Sequence, residues 1–421
     1  MISQKEYLQR RESFAKSLKP FSIAVLFSAK MKQRSNDTEY PYRQDSNFYY
    51  LSGFKEDNAI IVILKDSKEY KTYLFVQKKD KTLELWTGKR LGEKKAKKIF
   101  EFSEVYKVEN FWKNLNEFTK EKKNLYFDFA SKELQDLKSK CFNIPTHIDI
   151  KYHLGMQRLI KSDSEIQLIK KAICITKEAH HMAMKKAKYL KKEYELQAEI
   201  EYVFKKNGAY SDAYTSIVAC GNAANTLHYI SNTKKLKNGK LILIDAGCEY
   251  EYYSSDITRT IPVNGKFTDA QRELYQMVLD VELEIIKMIK PNILRTSLQK
   301  KSEELICKGL VSLGILKGSV KKLLKEKAHK KYYPHGIGHW MGLDVHDMSP
   351  YKNLNSKEIL LQSGMLMTIE PGVYIDKNDK SVHKRYRGIG IRIEDDILVT
   401  SDGYENLSTE IIKEISEIES L

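Results

Sequence analysis

The sequence predicts a mixed α/β protein of two domains, the first covering residues 1–160 and the second covering residues 161–421. Three observations support this prediction. A chain of 421 residues is long enough to form two hydrophobic cores. Short apolar runs alternate with helical patterns over the first domain, which is typical of α/β folds. Ser162 or Asp163 then provides an N-cap for a long helical stretch.

The predicted first domain begins with a helix. Residues 1–18 alternate polar and apolar side chains in the manner of an amphipathic helix. Tyr70–Gln77 alternates with a period of two, which is typical of a half-buried strand. The other predicted elements are strands over Ser22–Ala29, Ala59–Asp66 and Asn124–Ala130 and a helix over Lys94–Phe100.

The predicted second domain begins with the long helix. Ile166, Ile169 and Ile173 recur at helical spacing, and Glu165 places a negative charge in the first turn, where it stabilises a helix. The predicted elements are helices over 163–188, 194–207, 268–289 and 296–313 and strands near 214–220, 241–246, 252–260, 365–370 and 388–399.

The net charge of +16 at pH 7 is the bulk property that points toward nucleic acid. The lysines, however, are spread along the whole chain and interleaved with glutamates. The clusters Lys94–Lys98 and Lys321–Lys331 fall on predicted helices, and such clusters are typical of solvated helix faces. The sequence therefore predicts no nucleic-acid partner.

Three features predict a cytoplasmic protein with no membrane partner. The chain contains no run of 18 or more apolar residues. Residues 1–18 lack the apolar centre of a signal peptide. The five cysteines are widely spaced and none forms a CxxC pair, which favours reduced, partly buried thiols over a disulfide framework.

The stretch Leu241–Thr260, LILIDAGCEYEYYSSDITRT, is the strongest functional signal. An apolar strand-like run ends on Asp245, and Asp256 follows eleven residues later in a second strand-like run. A carboxylate at the end of a buried strand is costly unless a cation or several donors compensate its charge. Two carboxylates on neighbouring strands also repel each other unless a positive charge lies between them. This arrangement predicts a divalent metal.

Three further candidate ligands lie in compact apolar contexts. They are His339 in HGIGHW, Glu370 in LMTIEPGVY and Glu394 in GIGIRIEDD. Four carboxylates and one imidazole suit manganese, with zinc, cobalt or iron as alternatives, and differ from thiolate-rich zinc sites. Five protein ligands are too many for one tetrahedral ion with an open position, so they predict two divalent ions per subunit.

The segment GIRIEDDILV allows two interpretations. In an extended strand Arg392, Glu394 and Asp396 share one face, and Ile391 and Ile393 share the other. Taken alone, this pattern is typical of a surface strand with a solvated charged face. The other four candidate ligands favour instead a polar cavity that receives the charged face.

The histidines are by themselves weak evidence of function, because a lone histidine near an apolar run is usually structural. His335 and His339 lie four residues apart, but the two glycines of HGIGHW argue against a helix and for a tight strand or turn. The adjacent His180 and His181 fall on the long predicted helix, where we expect them to be exposed, and we assign them no role.

These motifs resemble those of the bacterial-type Xaa-Pro aminopeptidases (aminopeptidase P), which belong to the pita-bread metallopeptidases with prolidase and methionine aminopeptidase. The resemblance runs from RSNDTEYPYRQDSNFYYLSGF (Arg34–Phe54) through LWTGKR (Leu85–Arg90) to a strand ending near Val399. It implies an N-terminal creatinase-like α/β domain and a pita-bread catalytic domain whose curved, mainly antiparallel sheet is flanked by helices. The family motif has a different small residue at Gly338, but every ligand position is present.

The resemblance also implies roles for individual residues. The implied metal ligands are Asp245, Asp256, His339, Glu370 and Glu394. In the family the first aspartate typically binds one ion through both oxygens, and the second bridges together with Glu394. Glu370 is also the implied proton shuttle. The implied catalytic and substrate-binding residues are His228, His335, His346 and Arg392 together with Asp37, Trp86 and Tyr374. Trp86 would reach across from a neighbouring subunit of a homo-oligomer, a dimer or a tetramer built of dimers.

The implied activity is hydrolysis of the N-terminal Xaa-Pro bond of peptides by a metal-bridging hydroxide. Prolidase, which cleaves Xaa-Pro dipeptides, shares all five ligands and is the alternative, although LWTGKR and similarity around DITRTIPVNGKFTDAQRELY favour aminopeptidase P. A methionine aminopeptidase would not need the first domain. A non-catalytic interaction protein would be expected to have lost ligands, and here they are intact.

Overall fold

A computed structural model describes residues 2–421 of the chain. The chain divides into two compact units, residues 1–158 and residues 159–421. The sequence places the domain boundary at residues 160/161. Within residues 2–421 no helix combines the length and the hydropathy needed to cross a bilayer.

The strands of the N-terminal unit are β1 (Ser22–Phe27), β2 (Gln33–Ser35), β3 (Thr38–Glu39), β4 (Ile60–Lys65), β5 (Tyr70–Val76), β6 (Glu104–Lys107), β7 (Asn124–Phe127) and β8 (Thr146–Asp149). The unit contains a six-stranded sheet in the order β6-β5-β4-β1-β7-β8 and a separate β2-β3 hairpin. Its helices are α1 (Gln4–Ser17), α2 (Ser46–Ser52), α3 (Lys81–Thr87), α4 (Gly92–Phe100), α5 (Phe111–Phe118), α6 (Leu134–Lys140) and α7 (Lys151–Leu159). The sheet is mixed: β1 pairs antiparallel with β4 and parallel with β7.

The predicted α/β character of this unit is confirmed, but one strand differs from its prediction. The period-two pattern of Tyr70–Gln77 predicts one solvated face, whereas residues 72–76 of β5 are all buried. Helix α4 packs against β5, and Phe75 also contacts Phe111 of α5. Because helices cover the strand on both sides, its tyrosine and threonine are buried as well.

The C-terminal unit contains the remaining elements. Its strands are β9 (Ser211–Asp212), β10 (Ile217–Cys220), β11 (Leu241–Asp245), β12 (Cys248–Tyr250), β13 (Tyr253–Ser254), β14 (Thr258–Pro262), β15 (Leu366–Ile369), β16 (Gly372–Ile375), β17 (Ile389–Arg392), β18 (Asp395–Val399) and β19 (Tyr404–Asn406). Its helices are α8 (Asp163–Lys186), α9 (Glu193–Lys206), α10 (Asp269–Lys287), α11 (Arg295–Ser312), α12 (Val320–Lys325) and α13 (Ile415–Ile418).

The strands of this unit form short antiparallel sheets. Three are three-stranded, in the orders β10-β11-β14, β13-β12-β9 and β15-β18-β19, and β16 and β17 form a pair. All strand pairings described within residues 159–421 are antiparallel. The expected mainly antiparallel architecture is therefore confirmed.

Two predicted strands are each interrupted. The strand predicted over 252–260 is divided into β13 and β14, and residues 255–257 between them are not in a strand. The strand predicted over 388–399 is divided into β17 and β18 at residues 393–394. Asp256 and Glu394 lie in these two interruptions, so continuous strands were a wrong expectation at two of the candidate ligands.

Helix α8 begins as its sequence signal predicts. The Ser162 hydroxyl accepts from the backbone N–H of Glu165, and the Glu165 carboxylate accepts from the backbone N–H of Ser162, which together form a capping box. The expected exposure of His180 on this helix is wrong. His180 is buried, and its Nε2 lies 3.0 Å from the carbonyl oxygen of Ala246. Burial lowers the pKa of His180 to about 3, so this side chain is a neutral core residue.

A buried ion network joins β14, β18 and the C-terminal segment. The Arg259 guanidinium donates to Asp395 Oδ1 at 2.6 Å and to the Glu394 carbonyl oxygen at 2.7 Å. Lys413 donates to Asp395 Oδ2 and, at 2.8 Å, to Glu282. The side chains of Arg259, Asp395 and Glu282 are inaccessible to solvent. The network therefore places two cations against two carboxylates in the core behind the strand break at Glu394.

We expect Arg259→Met to lower the free energy of unfolding by about 3–5 kcal/mol, because it leaves buried acceptors without their donor. Urea unfolding would measure the change. A suitable control is Lys177→Met, which removes an ion pair with the largely exposed Glu410 and should cost less than about 1 kcal/mol. Equal effects of the two substitutions would contradict a structural role for the network.

Candidate active site

The strand register of the C-terminal unit aligns three of the candidate ligands. Asp245, the last residue of β11, is paired with Thr258 of β14. Thr258 in turn forms a bridge with Glu394, whose backbone N–H donates to the Thr258 carbonyl oxygen at 3.1 Å. The Thr258 hydroxyl also donates to Glu394 Oε2 at 2.6 Å. Asp256 precedes Thr258 by two residues, so one segment positions all three carboxylates.

The other two ligands are aligned by β15. The backbone N–H of Thr368 donates to the His339 carbonyl oxygen at 3.0 Å, and that of Glu370 donates to the Ile337 carbonyl oxygen at 2.8 Å. This pairing requires Gly338, because a Cβ at that position would overlap the carbonyl oxygen of Thr368. Residues 335–339 are in no helix, as the glycines of HGIGHW predict.

The five candidate ligands line one cavity of about 610 Å³, together with His228, His335, His346 and Arg392. Ligand atoms of Asp256, His339 and Glu394 all lie within 4.8 Å of one another. His339 Nε2 is 3.3 Å from Asp256 Oδ2 and 3.9 Å from Glu370 Oε1. The structure thus brings together the residues that the sequence predicts as ligands.

Hydrogen bonds fix the orientation of the candidate ligand His339. Its Nδ1 lies 3.1 Å from the carbonyl oxygen of Trp340, which can only accept, so Nδ1 carries the proton. Nε2 is then directed toward the carboxylates, and in the neutral ring its lone pair would be available to a metal ion. A carbonyl partner of this kind is the usual way in which proteins fix the tautomer of a ligating histidine. In the metal-free site burial would lower the pKa of His339, but its hydrogen bond to Asp256 and the nearby carboxylates raise it to about 9.

Additional positive charge would stabilise the ionised carboxyl groups of the cavity. Burial raises the pKa of Asp245 despite the opposing charge of Arg392, and it raises the pKa of Glu370 to about 7 despite that of His339. Burial and the negative charge of Asp256 raise the pKa of Glu394 well above its ordinary value. Each carboxyl is therefore costly to ionise in the absence of a cation. An oxygen-rich donor set with one imidazole fits divalent ions such as manganese.

Arg392 links the ligands to a histidine on the cavity wall. Its guanidinium donates to Asp245 Oδ2 and, at 2.9 Å, to the Tyr374 hydroxyl. That hydroxyl is 2.9 Å from His335 Nε2, and His335 Nδ1 is 2.8 Å from the Gly336 carbonyl oxygen. Burial and the charge of Arg392 lower the pKa of His335 to about 3. His335 is therefore neutral, with Nδ1–H donating to Gly336 and Nε2 accepting from Tyr374.

His228 and His346 present their rings to the cavity. The centroid of the His346 ring is 3.9 Å from that of His339, and burial together with the charge of His339 lowers the pKa of His346. Asp37 and Trp86 are not among the described residues that line this cavity. Both are exposed residues of the N-terminal unit, Asp37 between β2 and β3 and Trp86 in α3.

Sequence reasoning missed Tyr214. Its hydroxyl donates to Asp245 Oδ1 at 2.6 Å, and burial followed by the charge of Asp245 raises its pKa well above the ordinary value. Tyr214 therefore remains a donor to this ligand. The available signal was indirect, because Tyr214 stands at the start of a predicted strand. Tyr214 comes close to Asp245 because Ile217, three residues further along, is paired with Asp245, and the sequence does not reveal that pairing.

Two family models match consecutive, non-overlapping parts of the sequence. The model described as the N-terminal domain of aminopeptidase P matches residues 7–126. The model described as metallopeptidase family M24 matches residues 167–401.

Curated relatives match over the full length. The Xaa-Pro aminopeptidase of Haemophilus influenzae is 40% identical, covering 100% of this chain and 97% of the relative. Human Xaa-Pro aminopeptidase 3 is 36% identical, and the match covers 100% of this chain and 86% of the relative. A solved structure of Escherichia coli aminopeptidase P with the inhibitor Pro-Leu matches with a TM-score of 0.95 at 38% identity, covering 100% and 98%. The resemblance to bacterial-type enzymes and the expected pita-bread fold are confirmed.

The raised pKa of Glu370 predicts how the stability of the metal-free protein depends on pH. Because the folded state holds this proton up to about pH 7 and the unfolded state releases it near 4.5, stability is lost as the pH rises through that window. At about 1.4 kcal/mol per pKa unit, the raised pKa of Glu370 lowers the free energy of unfolding by roughly 3 kcal/mol across this window. Urea unfolding in chelator at pH 5 and pH 7 would measure the change.

The buried histidines also affect stability in this window, because in the unfolded state they titrate near their ordinary pKa of 6.5. The difference between the wild type and Glu370→Gln therefore isolates the carboxyl. We expect the wild type to lose more stability between pH 5 and pH 7 than the variant, and manganese to remove most of that difference. Parallel pH curves for the two proteins in chelator would contradict this electrostatic description.

Proposed function

The chain belongs to metallopeptidase family M24, and on this premise we propose that it is a dinuclear-metal aminopeptidase that hydrolyses the N-terminal Xaa-Pro bond of peptides. It is a hydrolase of the metallopeptidase class, as its full-length relatives are. The observation that carries the proposal is the convergence of Asp245, Asp256, His339, Glu370 and Glu394 on one cavity.

The proposed metals are two divalent ions, manganese before zinc, cobalt or iron. Asp256, His339 and Glu394, whose ligand atoms lie close together, would hold one ion, and Asp245 and Glu370 would complete the site for the second. When bound, two such ions supply Lewis acidity and a bridging hydroxide as the nucleophile near neutral pH. The close grouping of Asp256 with Glu394 supports these two carboxylates as the ones that would bridge the ions.

Glu370 is proposed to move the proton between the attacking water and the leaving nitrogen. Its Oε1 lies 3.9 Å from His339 Nε2, and its Oε2 lies 3.7 Å from His335 Nδ1, so its carboxyl adjoins the metal ligand and the cavity wall. The leaving nitrogen of an Xaa-Pro bond must gain one proton, because it carries none in the substrate.

The histidines are proposed to divide the remaining work. Within residues 2–421 the rings of His228 and His346 make no hydrogen bond, so both are available to substrate and to the developing oxyanion. The nitrogens of His335 are both engaged, which supports a positioning role through Tyr374 and Arg392. Arg392 would then orient the carboxylate of Asp245.

Selectivity for proline is proposed to come from the shape of the cavity. Proline has no backbone N–H, so an enzyme cannot hold the second residue through that donor and must recognise its ring instead. Leu227, Ile230 and Val345 line the cavity beside His228 and His346. These side chains provide an apolar wall for a pyrrolidine ring.

We further propose that the protein acts in the cytoplasm as a homo-oligomer. All five cysteines are free, as is usual in a reducing compartment. Leu85 and Trp86 of α3 are 82% and 81% exposed, an unusual state for large apolar side chains on one short helix. Burial of Trp86 against a neighbouring subunit, with Asp37 as a further substrate contact, would account for that exposure.

A cleavage assay with purified protein would test the proposed activity. We expect a longer peptide with proline in second position to lose its first residue, because the free N-terminus would lie at the metals. Chelation should stop the reaction, manganese should restore it, and a matched peptide with alanine in second position should be a poor substrate. Cleavage of an Xaa-Pro dipeptide alone would indicate prolidase, and metal-independent cleavage would contradict the mechanism.

Glu370→Gln tests the proton-transfer role. The amide cannot carry the proton, so turnover should fall by at least about 10²–10⁴-fold while the fold remains largely intact. Steady-state kinetics and circular dichroism would measure these effects. The control is Glu405→Gln, which removes only a half-exposed partner of Lys170 and should leave turnover unchanged. Near-wild-type turnover in Glu370→Gln would exclude the role.

A further inference from the structure

His228 lies on a loop that has little regular structure. The His228 loop, residues 221–236, joins β10 to the segment before β11 and places Leu227, His228 and Ile230 on the wall of the cavity. The His228 ring has no hydrogen-bond partner within residues 2–421. Its position therefore depends on how the backbone of the loop is held.

One buried carboxylate holds this loop at three points. Glu193, the first residue of α9, is inaccessible to solvent. Its Oε1 accepts from the backbone N–H of Cys220 at 2.8 Å, where the loop begins. Its Oε2 accepts from the backbone N–H of Lys234 at 2.8 Å, near the end of the loop, and from the Tyr229 hydroxyl at 2.7 Å. Tyr229 directly follows His228, so one contact lies next to the functional residue.

The backbone of Glu193 adds to this clamp. Its N–H donates to the Lys234 carbonyl oxygen at 3.0 Å, so residues 193 and 234 are joined through both main chain and side chain. A second buried side chain, Asn232, accepts from the N–H of Val218 at 3.0 Å and donates to the Ser216 carbonyl oxygen at 2.7 Å. Asn232 secures the later part of the loop, and Glu193 accepts the hydrogen bond of the Tyr229 hydroxyl.

We propose that Glu193 is a positioning residue for His228, and this inference rests on the proposed function. A carboxylate can accept at both oxygens, which the three converging donors require. Glutamine has nearly the same shape but only one acceptor oxygen, and its NH₂ group would face an N–H or O–H donor. Glu193→Gln therefore disturbs the clamp while changing little of the packing.

Kinetics in a double-mutant cycle would test the inference. We expect Glu193→Gln to lower kcat/KM for an Xaa-Pro tripeptide about tenfold and His228→Ala to lower it further. The double variant should resemble His228→Ala, because Glu193 acts through that residue. Tyr229→Phe, which removes one donor, should have a smaller effect, and bound manganese should be unchanged throughout. Independent, additive losses would overturn the inference, as would wild-type kcat/KM in Glu193→Gln.

Glu199→Gln is the matched control, because Glu199 lies on the same helix and pairs at the surface with Lys186. It should retain wild-type kinetics. If the wild type and this control both fail to cleave Xaa-Pro peptides, the proposed function fails, and hydrogen exchange still tests the clamp. In Glu193→Gln the amides of Cys220 and Lys234 should exchange at least tenfold faster, while those of β11 are unchanged. Unchanged exchange at both loop amides would overturn the inference without reference to activity.

Discussion

The concentration of buried negative charge is the constraint on which the C-terminal unit depends. Asp245, Asp256, Glu370 and Glu394 lie around one cavity, and Arg392 is the guanidinium that enters it. Arg392 and His339, whose pKa is raised to about 9, cannot offset four carboxylates, so further protons must remain bound or further cations must enter. The raised pKa values of Asp245, Glu370 and Glu394 show that protons are retained in the metal-free site. Metal binding would be the other way to balance the charge. The proposed divalent ions would relieve this imbalance and would also activate water.

Strand register turns that imbalance into a defined geometry. The proposed ligands lie on adjacent backbone segments, from β11 through β14 and β18 to β15 and the segment at His339. A one-residue slip in any pairing would turn a ligand away from its neighbours. The buried pair of Arg259 with Asp395 and the close approach at Gly338 both oppose such a slip. Structural features of the core are therefore functional requirements of the site.

The sequence predicts the ligands better than their surroundings, for a physical reason. Asp245, His339 and Glu370 stand in local patterns of apolar strand and glycine that can be recognised within a few residues. The interruptions at Asp256 and Glu394 arise from pairing between segments far apart in the chain, as the bridge of Thr258 with Glu394 illustrates. The local alternation of polar and apolar residues does not indicate which distant segment a strand will pair with. The burial of His180 escaped prediction similarly, because the partner of its ring is a distant carbonyl.

The site uses two kinds of support for two kinds of task. The ligands lie on paired strands or directly beside them, where main-chain hydrogen bonds fix them. His228 lies on a loop, which cannot supply such bonds by itself and depends on side chains such as Glu193. A metal centre requires ligand atoms held within fractions of an ångström, and paired strands can provide that precision. The loop receives comparable support from outside itself, because Glu193 holds it at Cys220, at Tyr229 beside His228 and at Lys234.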